Sequence, residues 1–424
     1  MVTTATRHSS RFFSETLPNG LQLLGQQVPG VQSAAAVFWV CTGTRDEPIE
    51  WMGVSHFLEH MAFKGNLRLP GDQIDHAFEA MGADHNAATS WEMTFYWARV
   101  LSEHVGRAID VLAQLIQPML REEDFNQERQ VILEEIARYE DQPTHILYNR
   151  FVADFFGDHP LARETLGTAD TLMALTPEQM REYWSDRYGT HNMLFAIAGN
   201  FDWDAVRQQV ENLSTEWKPG ETGRELRAPR FQPGFTVHQR EQFAQEQIAI
   251  GVPSIGRKDP RYYVSAVLAT ILGDDTGSRL FWALYHPGLA ETASAQLMEF
   301  EETGNMLVHV ATEPSMAQRA LEVALHELER LQQFDIEDSE LERAKAKLNS
   351  SVVIGGESTN ERVMSLISSW LTRGELEPLD EIRRKIEAVT MQDLRDMIAE
   401  FPVSPRHVIT CVGPLSPEDL HLPS

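Results

Sequence analysis

The sequence predicts an α+β protein built from two halves that share one fold. Three observations lead to this prediction. Strand-like and helix-like segments alternate along the 424 residues, periodicity breaks down near the middle, and short matches recur in the same order in both halves. A chain of this length is also too long for one hydrophobic core, so more than one domain is expected.

The order of elements in the first half can be read from hydrophobic periodicity. Strand-like runs cover residues 21–24 and 33–40, and helical patterns cover residues 54–63, 71–81, 102–117, 122–140 and 176–188. Residues 86–100 are predicted to form one long extended segment, and a strand over 193–198 closes the half. Hairpin-like pairs of strands among helices are typical of the α+β class.

The break in periodicity covers residues 214–234, where Pro, Gly and charged residues gather. It predicts an N-terminal half over 1–215, a linker over 216–234 and a C-terminal half over 235–424. After the linker, Val264–Ile271 repeats Val54–Met61 at its Val, Ser and Leu positions. Near the ends of the halves, Ile409–Pro414 resembles Phe195–Asn200. Matches in one order predict two homologous halves.

Charge and apolar content exclude several classes of partner. The chain has 36 Lys and Arg against 63 Asp and Glu, a formal net charge of −27, which disfavours binding to nucleic acid. No apolar run of about eighteen residues occurs, and the N-terminus lacks the apolar core of a signal peptide. We therefore expect no membrane segment and a cytoplasmic location. The only cysteines, Cys41 and Cys411, are interpreted as small buried hydrophobic residues.

The chemistry is predicted from His56-Phe-Leu-Glu-His60, which lies in a helical pattern. Residues four apart lie one above the other on a helix, so His56 and His60 present both imidazoles to one point, with Glu59 near that face. This spacing matches the inverted H-x-x-E-H form of the zincin motif. The alternative is a histidine pair that is solvated or satisfied in the core, and a third ligand would argue against it.

The predicted helix over 122–140 supplies candidates for the third ligand, because a catalytic zinc usually has three protein ligands. Glu135 has apolar neighbours three and four residues away, whereas Glu134 is expected to face water. Glu128 lies two turns before Glu135 on the same side and is predicted to orient a ligating imidazole, although an ion-paired carboxylate would fit as well. The site is thus His56, His60 and Glu135 around one Zn²⁺ per chain, with Glu59 as general base for a metal-activated water.

The internal repeat predicts that the second half holds no metal. With a shift of 210 residues, the positions of His56, Glu59, His60 and Glu135 fall on residues that do not bind zinc in this way, namely Ala266, Ala269, Thr270 and Lys345.

Several segments together resemble the pitrilysin/insulinase family of zinc metallopeptidases, especially its short two-subunit members such as mitochondrial processing peptidase. The matching segments are His56–Gly65, Asn86–Ser90, Glu128–Glu135, His159–Leu161, Leu166–Thr168 and Gly277–Phe281. The resemblance implies two α/β-sandwich halves that face each other as a clam shell. It also implies that His56, His60 and Glu135 bind zinc, that Glu59 is the base and that Glu128 is the family's second acid.

The resemblance further implies how a substrate binds. Asn86, Ala87, Ala88 and Thr89 would belong to an edge strand that pairs with an extended peptide. The chain departs from the family pattern in the run Leu284–Glu291, where Tyr285 and Glu291 stand near the positions of an Arg and a Tyr that hold the substrate carbonyl.

The sequence as a whole predicts a zinc-dependent endopeptidase that acts on peptides or unfolded segments. Because the Arg/Tyr pair is missing, the chain is expected to be the catalytic subunit of a heterodimer with a zinc-free homologue that carries the pair, with a homodimer as the second choice. The alternative function is a non-catalytic peptide-binding or scaffold subunit with a structural zinc. An unliganded Glu59 argues against that alternative, since a structural site has no use for a base.

Overall fold

A computed structural model describes residues 10–422, which divide into two compact units. Unit 1 contains the chain up to Ile136 together with Glu164–Glu225 and Ile354–Glu377. Unit 2 contains Ala137–Arg163, Leu226–Val353 and the chain from Pro378 onward. The N-terminal residues 1–9, on which part of the signal-peptide prediction depends, lie outside the described residues.

The described residues form the following strands and helices. The strands are β1 (Arg11–Thr16), β2 (Gln22–Gln27), β3 (Ser33–Val40), β4 (Asp84–Thr89), β5 (Thr94–Leu101), β6 (Met193–Gly199), β7 (Gly234–Gln239), β8 (Glu246–Ser254), β9 (Thr292–Glu299), β10 (Gly304–Thr312) and β11 (Val408–Gly413). The helices are α1 (Val54–Ala62), α2 (Gly71–Glu79), α3 (Val105–Leu115), α4 (Glu122–Tyr139), α5 (Pro143–Phe156), α6 (Ala169–Ala174), α7 (Pro177–Arg187), α8 (Trp203–Ser214), α9 (Tyr262–Gly273), α10 (Ala317–Gln332), α11 (Asp338–Gly355), α12 (Thr359–Arg373), α13 (Leu379–Glu387) and α14 (Met391–Glu400). A π-helical turn lies at Phe281–Tyr285.

Unit 1 is built on a six-stranded sheet in the order β1-β2-β6-β3-β5-β4. Strands β2 and β6 are parallel, and the other neighbours are antiparallel. The central strand β3 is buried on both faces, which explains its continuous apolar run. One face holds Ala34, Ala36, Phe38 and Val40 in the core shared with α1, α3 and α7. The other face holds Ala35, Val37 and Trp39 beneath Val363, Leu366 and Ile367 of α12.

Unit 2 has a five-stranded sheet in the order β7-β11-β8-β10-β9. Only the β7–β11 pair is parallel among the described strands of this sheet. One face packs on α9, α10 and α14. The other face meets α5, where Gly251 of β8 leaves room for an aromatic ring, since a Cβ at this position would lie 2.3 Å from Cζ of Phe151.

The two units repeat one topology, as predicted from the duplicated segments. Strands β2, β6, β3, β5 and β4 of unit 1 have the same neighbours and directions as β7, β11, β8, β10 and β9 of unit 2. In chain order, α1 corresponds to α9 and α4 to α11. The helices α5 and α12 are exchanged: α5 lies in the first half of the sequence but belongs to unit 2, and α12 lies in the second half but belongs to unit 1.

The structure confirms the α+β class, with helices and a sheet in each unit. The predicted motif helix, the helix over 122–140 and the strand over 33–40 form close to the expected bounds. The prediction of one extended segment over 86–100 was wrong, because a turn at residues 90–93 divides this stretch into the hairpin β4–β5. The chain has no helix or strand over residues 215–233, but the predicted boundaries 1–215, 216–234 and 235–424 stay a prediction.

The described helices include none that is both long enough and apolar enough to cross a membrane. The cytoplasmic location expected from the sequence stays a prediction.

Candidate metal centre and active site

Two features define the start of helix α1: a glycine with a left-handed backbone conformation, and a buried acid that caps the helix. Gly53 has a φ of +96°, and a Cβ there would lie 2.6 Å from the carbonyl oxygen of Leu166. The carboxylate of Glu47 accepts hydrogen bonds from the backbone N–H groups of Gly53 at 2.8 Å and Ser55 at 2.7 Å. An acid at this end satisfies orphan N–H groups and complements the helix dipole. Glu47 therefore fixes the start of the helix that carries both histidines.

The apolar stripe of α1 connects it to α4. Phe57 is fully buried and its ring stacks on Phe125 of α4, with centroids 4.5 Å apart and an interplanar angle of 21°. This contact lies one residue from His56 on α1 and three residues from Glu128 on α4. The packing of two aromatic rings thus sets the separation of the helices that bear the candidate ligands.

On α4 one face carries both predicted acids. Phe125, Glu128 and Ile132 are buried, Glu135 is half-buried, and Glu134 is exposed, as expected. Glu128 and Glu135 are seven positions apart, which is about two helical turns, so both carboxylates lie on the side that faces α1. Periodicity alone therefore selected the carboxylate that the structure brings to the histidines.

The structure brings His56, His60 and Glu135 together. One ligand atom from each lies within 4.8 Å of the other two. Oε2 of Glu135 is 3.5 Å from Nε2 of His60 and 4.0 Å from Nε2 of His56. Ligands about 2.0–2.1 Å from a tetrahedral zinc lie about 3.3–3.5 Å apart, so the observed separations are close to those of a zinc site. No second cluster of this kind occurs among residues 10–422.

The burial and protonation of the ligand atoms also fit zinc, independently of the distances between them. Oε2 of Glu135 is buried and has no hydrogen-bond partner among the described residues. A buried carboxylate oxygen without a partner is costly unless a cation or donor completes it. Burial, and then the neighbouring His60, lowers the pKa of His56 to about 3, so this imidazole is neutral near pH 7. Two imidazole nitrogens and one carboxylate oxygen are a ligand set that zinc accepts.

Glu128 lies behind His60 and outside the ligand set. Nδ1–H of His60 donates to Oε1 of Glu128 at 3.0 Å, and Nζ of Lys64 forms an ion pair with the other carboxylate oxygen. Burial would raise the pKa of Glu128, but these two partners outweigh it and lower the pKa. An ionised acceptor on Nδ1 leaves Nε2 of His60 free for a metal. Nδ1 of His56, by contrast, has no hydrogen-bond partner among the described residues.

Glu59 lies beside the ligands and contacts the predicted substrate strand. Its Oε2 accepts a hydrogen bond from Oγ1 of Thr89 at 2.5 Å. Burial raises the pKa of Glu59, and the bond from Thr89 opposes this shift. Burial alone would lower the pKa of His60, but its hydrogen bond with Glu128 and the surrounding carboxylates outweigh burial and raise it.

The predicted substrate residues lie on β4, at one edge of the unit 1 sheet. Their order along the strand is Asn86, Ala87, Ala88 and Thr89. Asn86 is exposed, Ala87 is buried, and Ala88 and Thr89 are half-buried. Strand β4 pairs with β5 on one side, so its other edge is open to further pairing within the described part of unit 1.

Three contacts of the site were missed in the sequence. These are the cap from Glu47, the ion pair from Lys64 and the hydrogen bond from Thr89. Lys64 and Thr89 stand inside the matching segments, but their spacing from Glu128 and Glu59 follows no helical or strand period. The sequence places three acids, Asp46, Glu47 and Glu50, shortly before α1, and no local pattern selects Glu47 among them.

The repeated α+β units and the convergent histidine pair and carboxylate define a chain with an inverted-zincin candidate site. Residues 23–169 match the family model described as insulinase (peptidase family M16), and residues 174–348 match that of the peptidase M16 inactive domain. The chain belongs to the M16, or insulinase, family of peptidases, as its resemblance implied.

Individual relatives agree over nearly the whole chain. An uncharacterized zinc protease of Streptomyces coelicolor is 32% identical over 415 residues, covering 94% of this chain and 89% of the relative. An uncharacterized zinc protease of Bacillus subtilis is 31% identical over 390 residues, covering 91% and 94%. A protease from Helicobacter pylori of known structure superposes with a TM-score of 0.86 at 22% identity, covering 95% and 100%, which supports the fold.

Proposed function

We propose that this chain is a zinc-dependent endopeptidase that hydrolyses peptides or unfolded segments. The observation that carries the proposal is the convergence of His56, His60 and Glu135, with Glu59 beside them and outside the ligand set. The names of the relatives, which are zinc proteases, support the same metal and reaction class.

Each residue of the site has a role in this proposal. His56, His60 and Glu135 would hold one Zn²⁺ per chain, and Glu128 would keep His60 in the tautomer that leaves Nε2 free. Bound zinc supplies Lewis acidity that brings the pKa of a water in its open position to about 7. Glu59 would act as general base, accepting the proton of that water and passing it to the leaving amine.

The open edge of β4 would bind the substrate. An extended peptide can add to a sheet edge by main-chain hydrogen bonds, which tolerate many sequences. Thr89 at the end of β4 contacts Glu59, so a peptide paired with this strand would run past the base. Unfolded or short peptides are therefore the substrate class that the edge strand favours.

The partner proposal comes from the run Leu284–Glu291, which lacks the Arg/Tyr pair of the family. Tyr285 is 52% exposed, and Glu291 accepts a hydrogen bond from the side-chain amide of Gln245 at 2.6 Å. A carboxylate at the position of the family's Tyr cannot donate a hydrogen bond to a carbonyl when it is ionised. We propose a heterodimer with a zinc-free homologue that supplies the pair, with a homodimer as the second choice.

A non-catalytic peptide-binding or scaffold subunit with a structural zinc is the second candidate. The match of residues 174–348 to the inactive-domain model and the missing Arg/Tyr pair favour it. The two candidates differ in what Glu59 does, because a structural site would be indifferent to a neutral residue there.

The test is hydrolysis of a quenched fluorogenic peptide by the purified chain, alone and with its homologue, with and without a zinc chelator. We expect Glu59→Gln to keep one zinc per chain and to lose activity by about a hundredfold or more, and His56→Ala to lose the metal. Glu134→Gln, an exposed position beside Glu135, is the matched control and should behave as wild type.

Two results would contradict these proposals. Full hydrolysis by Glu59→Gln, or hydrolysis that survives removal of zinc, would refute the endopeptidase mechanism. Full activity of the wild-type chain as a monomer, established by light scattering during the assay, would refute the need for a partner.

A further inference from the structure

Thr89 connects two parts of the site that are predicted from separate segments of the sequence. It is the last residue of β4, where its neighbour across the hairpin is Thr94 of β5. Its side chain leaves the strand and reaches α1, where Oγ1 lies 2.5 Å from Oε2 of Glu59. The residue is thus shared by the open sheet edge and by the carboxylate proposed as the base.

The direction and length of this contact identify its chemistry. An ionised carboxylate only accepts hydrogen bonds, so the hydroxyl of Thr89 is the donor. A distance of 2.5 Å is typical of charge-assisted O–H···O⁻ bonds, which are shorter and stronger than neutral ones. Among residues 10–422, the Glu59 side chain makes its hydrogen bond with Thr89. Without it, the carboxylate of a glutamate can rotate about its terminal bond, because that torsion is broad.

We propose that Thr89 is a positioning residue for Glu59. Its hydroxyl holds one carboxylate oxygen and so directs the other oxygen toward the space between His56, His60 and Glu135. This inference rests on the proposed endopeptidase function for its kinetic consequence, but its structural content does not depend on activity. It gives Thr89 a second role beside main-chain pairing with a substrate.

The kinetic test compares Thr89→Val with Thr89→Ser. Valine keeps the shape and β-branching of threonine and removes the hydroxyl, whereas serine keeps the hydroxyl. We expect Thr89→Val to lower kcat by about tenfold to a hundredfold with KM and zinc content unchanged, and Thr89→Ser to restore most of kcat. In a Glu59→Gln background, Thr89→Val should cause no further loss, because the residue acts through Glu59.

Crystal structures of the wild-type and Thr89→Val chains test the same proposal without an assay. We expect the Glu59 carboxylate to be ordered in one rotamer in the wild type, and to be rotated or spread over two in Thr89→Val. An unmoved carboxylate in Thr89→Val, an unchanged kcat, or a Thr89→Ser variant as slow as Thr89→Val would overturn the proposal. If the wild-type chain binds zinc but cleaves no peptide, the proposed function fails, and the structural comparison still decides whether Thr89 positions Glu59.

Discussion

Removal of the Glu128 carboxylate is expected to weaken zinc binding without removing a ligand. Glu128 is only 6% exposed, and its Oε1 lies 3.0 Å from Nδ1 of His60. That contact keeps the proton of neutral His60 on Nδ1, whereas without it the proton can move to Nε2 and block the metal-binding lone pair. Partners of this kind typically contribute 10- to 100-fold to metal affinity, or about 1.4 to 2.7 kcal/mol.

Two substitutions separate charge from geometry at this position. Glu128→Gln keeps a carbonyl oxygen that can accept from Nδ1 of His60, so its loss of zinc affinity should lie near the lower end, about tenfold. Glu128→Ala removes the acceptor and should approach about a hundredfold. Lys64, which loses its ion-pair partner in both variants, is 31% exposed at its side chain and can be solvated by water.

The assay is competition for zinc against a chromophoric chelator at pH 7.5, with protein concentration fixed. The exposed neighbour Glu134→Gln on the same helix controls for a general loss of negative charge near the site. An affinity for zinc that is unchanged in Glu128→Ala would refute the reasoning, as would an equal loss in Glu134→Gln.

Two further predictions concern stability. Burial raises the pKa of Glu246 from 4.5 to about 7, so the stabilisation from its protonated form is complete below pH 4.5 and is lost as pH rises through 7. In urea unfolding, the free energy of unfolding of Glu246→Gln, which stays neutral, should therefore be about 3 kcal/mol higher than that of the wild type at pH 8 and much closer to it at pH 5. Equal differences at the two pH values would contradict this. Phe57→Ala should lower the free energy of unfolding by about 3 to 5 kcal/mol and weaken zinc binding, because the stacking on Phe125 is lost. Phe57→Leu should cost less. An Ala variant that unfolds like the wild type would argue against this packing.

The local parts of the site could be predicted because they repeat with the period of a helix. The spacing of His56 and His60 and the apolar neighbours of Glu135 each depend on one helix only, and the structure brings these three residues together. The hydrogen bond between Glu59 and Thr89, in contrast, joins two elements whose residues are thirty positions apart. Such a contact cannot be predicted from periodicity in the sequence, because the contact depends on how β4 packs against α1.

The exchange of α5 and α12 could not be predicted for a related reason. An amphipathic helix shows the same pattern of apolar residues whichever sheet it covers. The apolar residues Leu147 and Phe151 of α5 predict a buried face, but not that the face lies on β8 and β11 of unit 2. Each compact unit contains segments that are not contiguous in the sequence, and local periodicity does not indicate such an arrangement.

The repeated topology bears on whether a zinc in unit 1 would serve structure or chemistry. Unit 2 forms the same strand order, and its helix α9 carries Ala266, Ala269 and Thr270 where the internal register places the residues of the zinc motif. This fold therefore forms around a helix pair without metal ligands. Unit 1, in contrast, keeps a buried carboxylate oxygen on Glu135 that has no hydrogen-bond partner among the described residues, and an additional half-buried acid at Glu59. Burial of such groups costs stability when no metal is bound. A fold that needs no metal, combined with polar groups that destabilise it, favours a catalytic over a structural role for the proposed zinc, as expected when stability is traded for function.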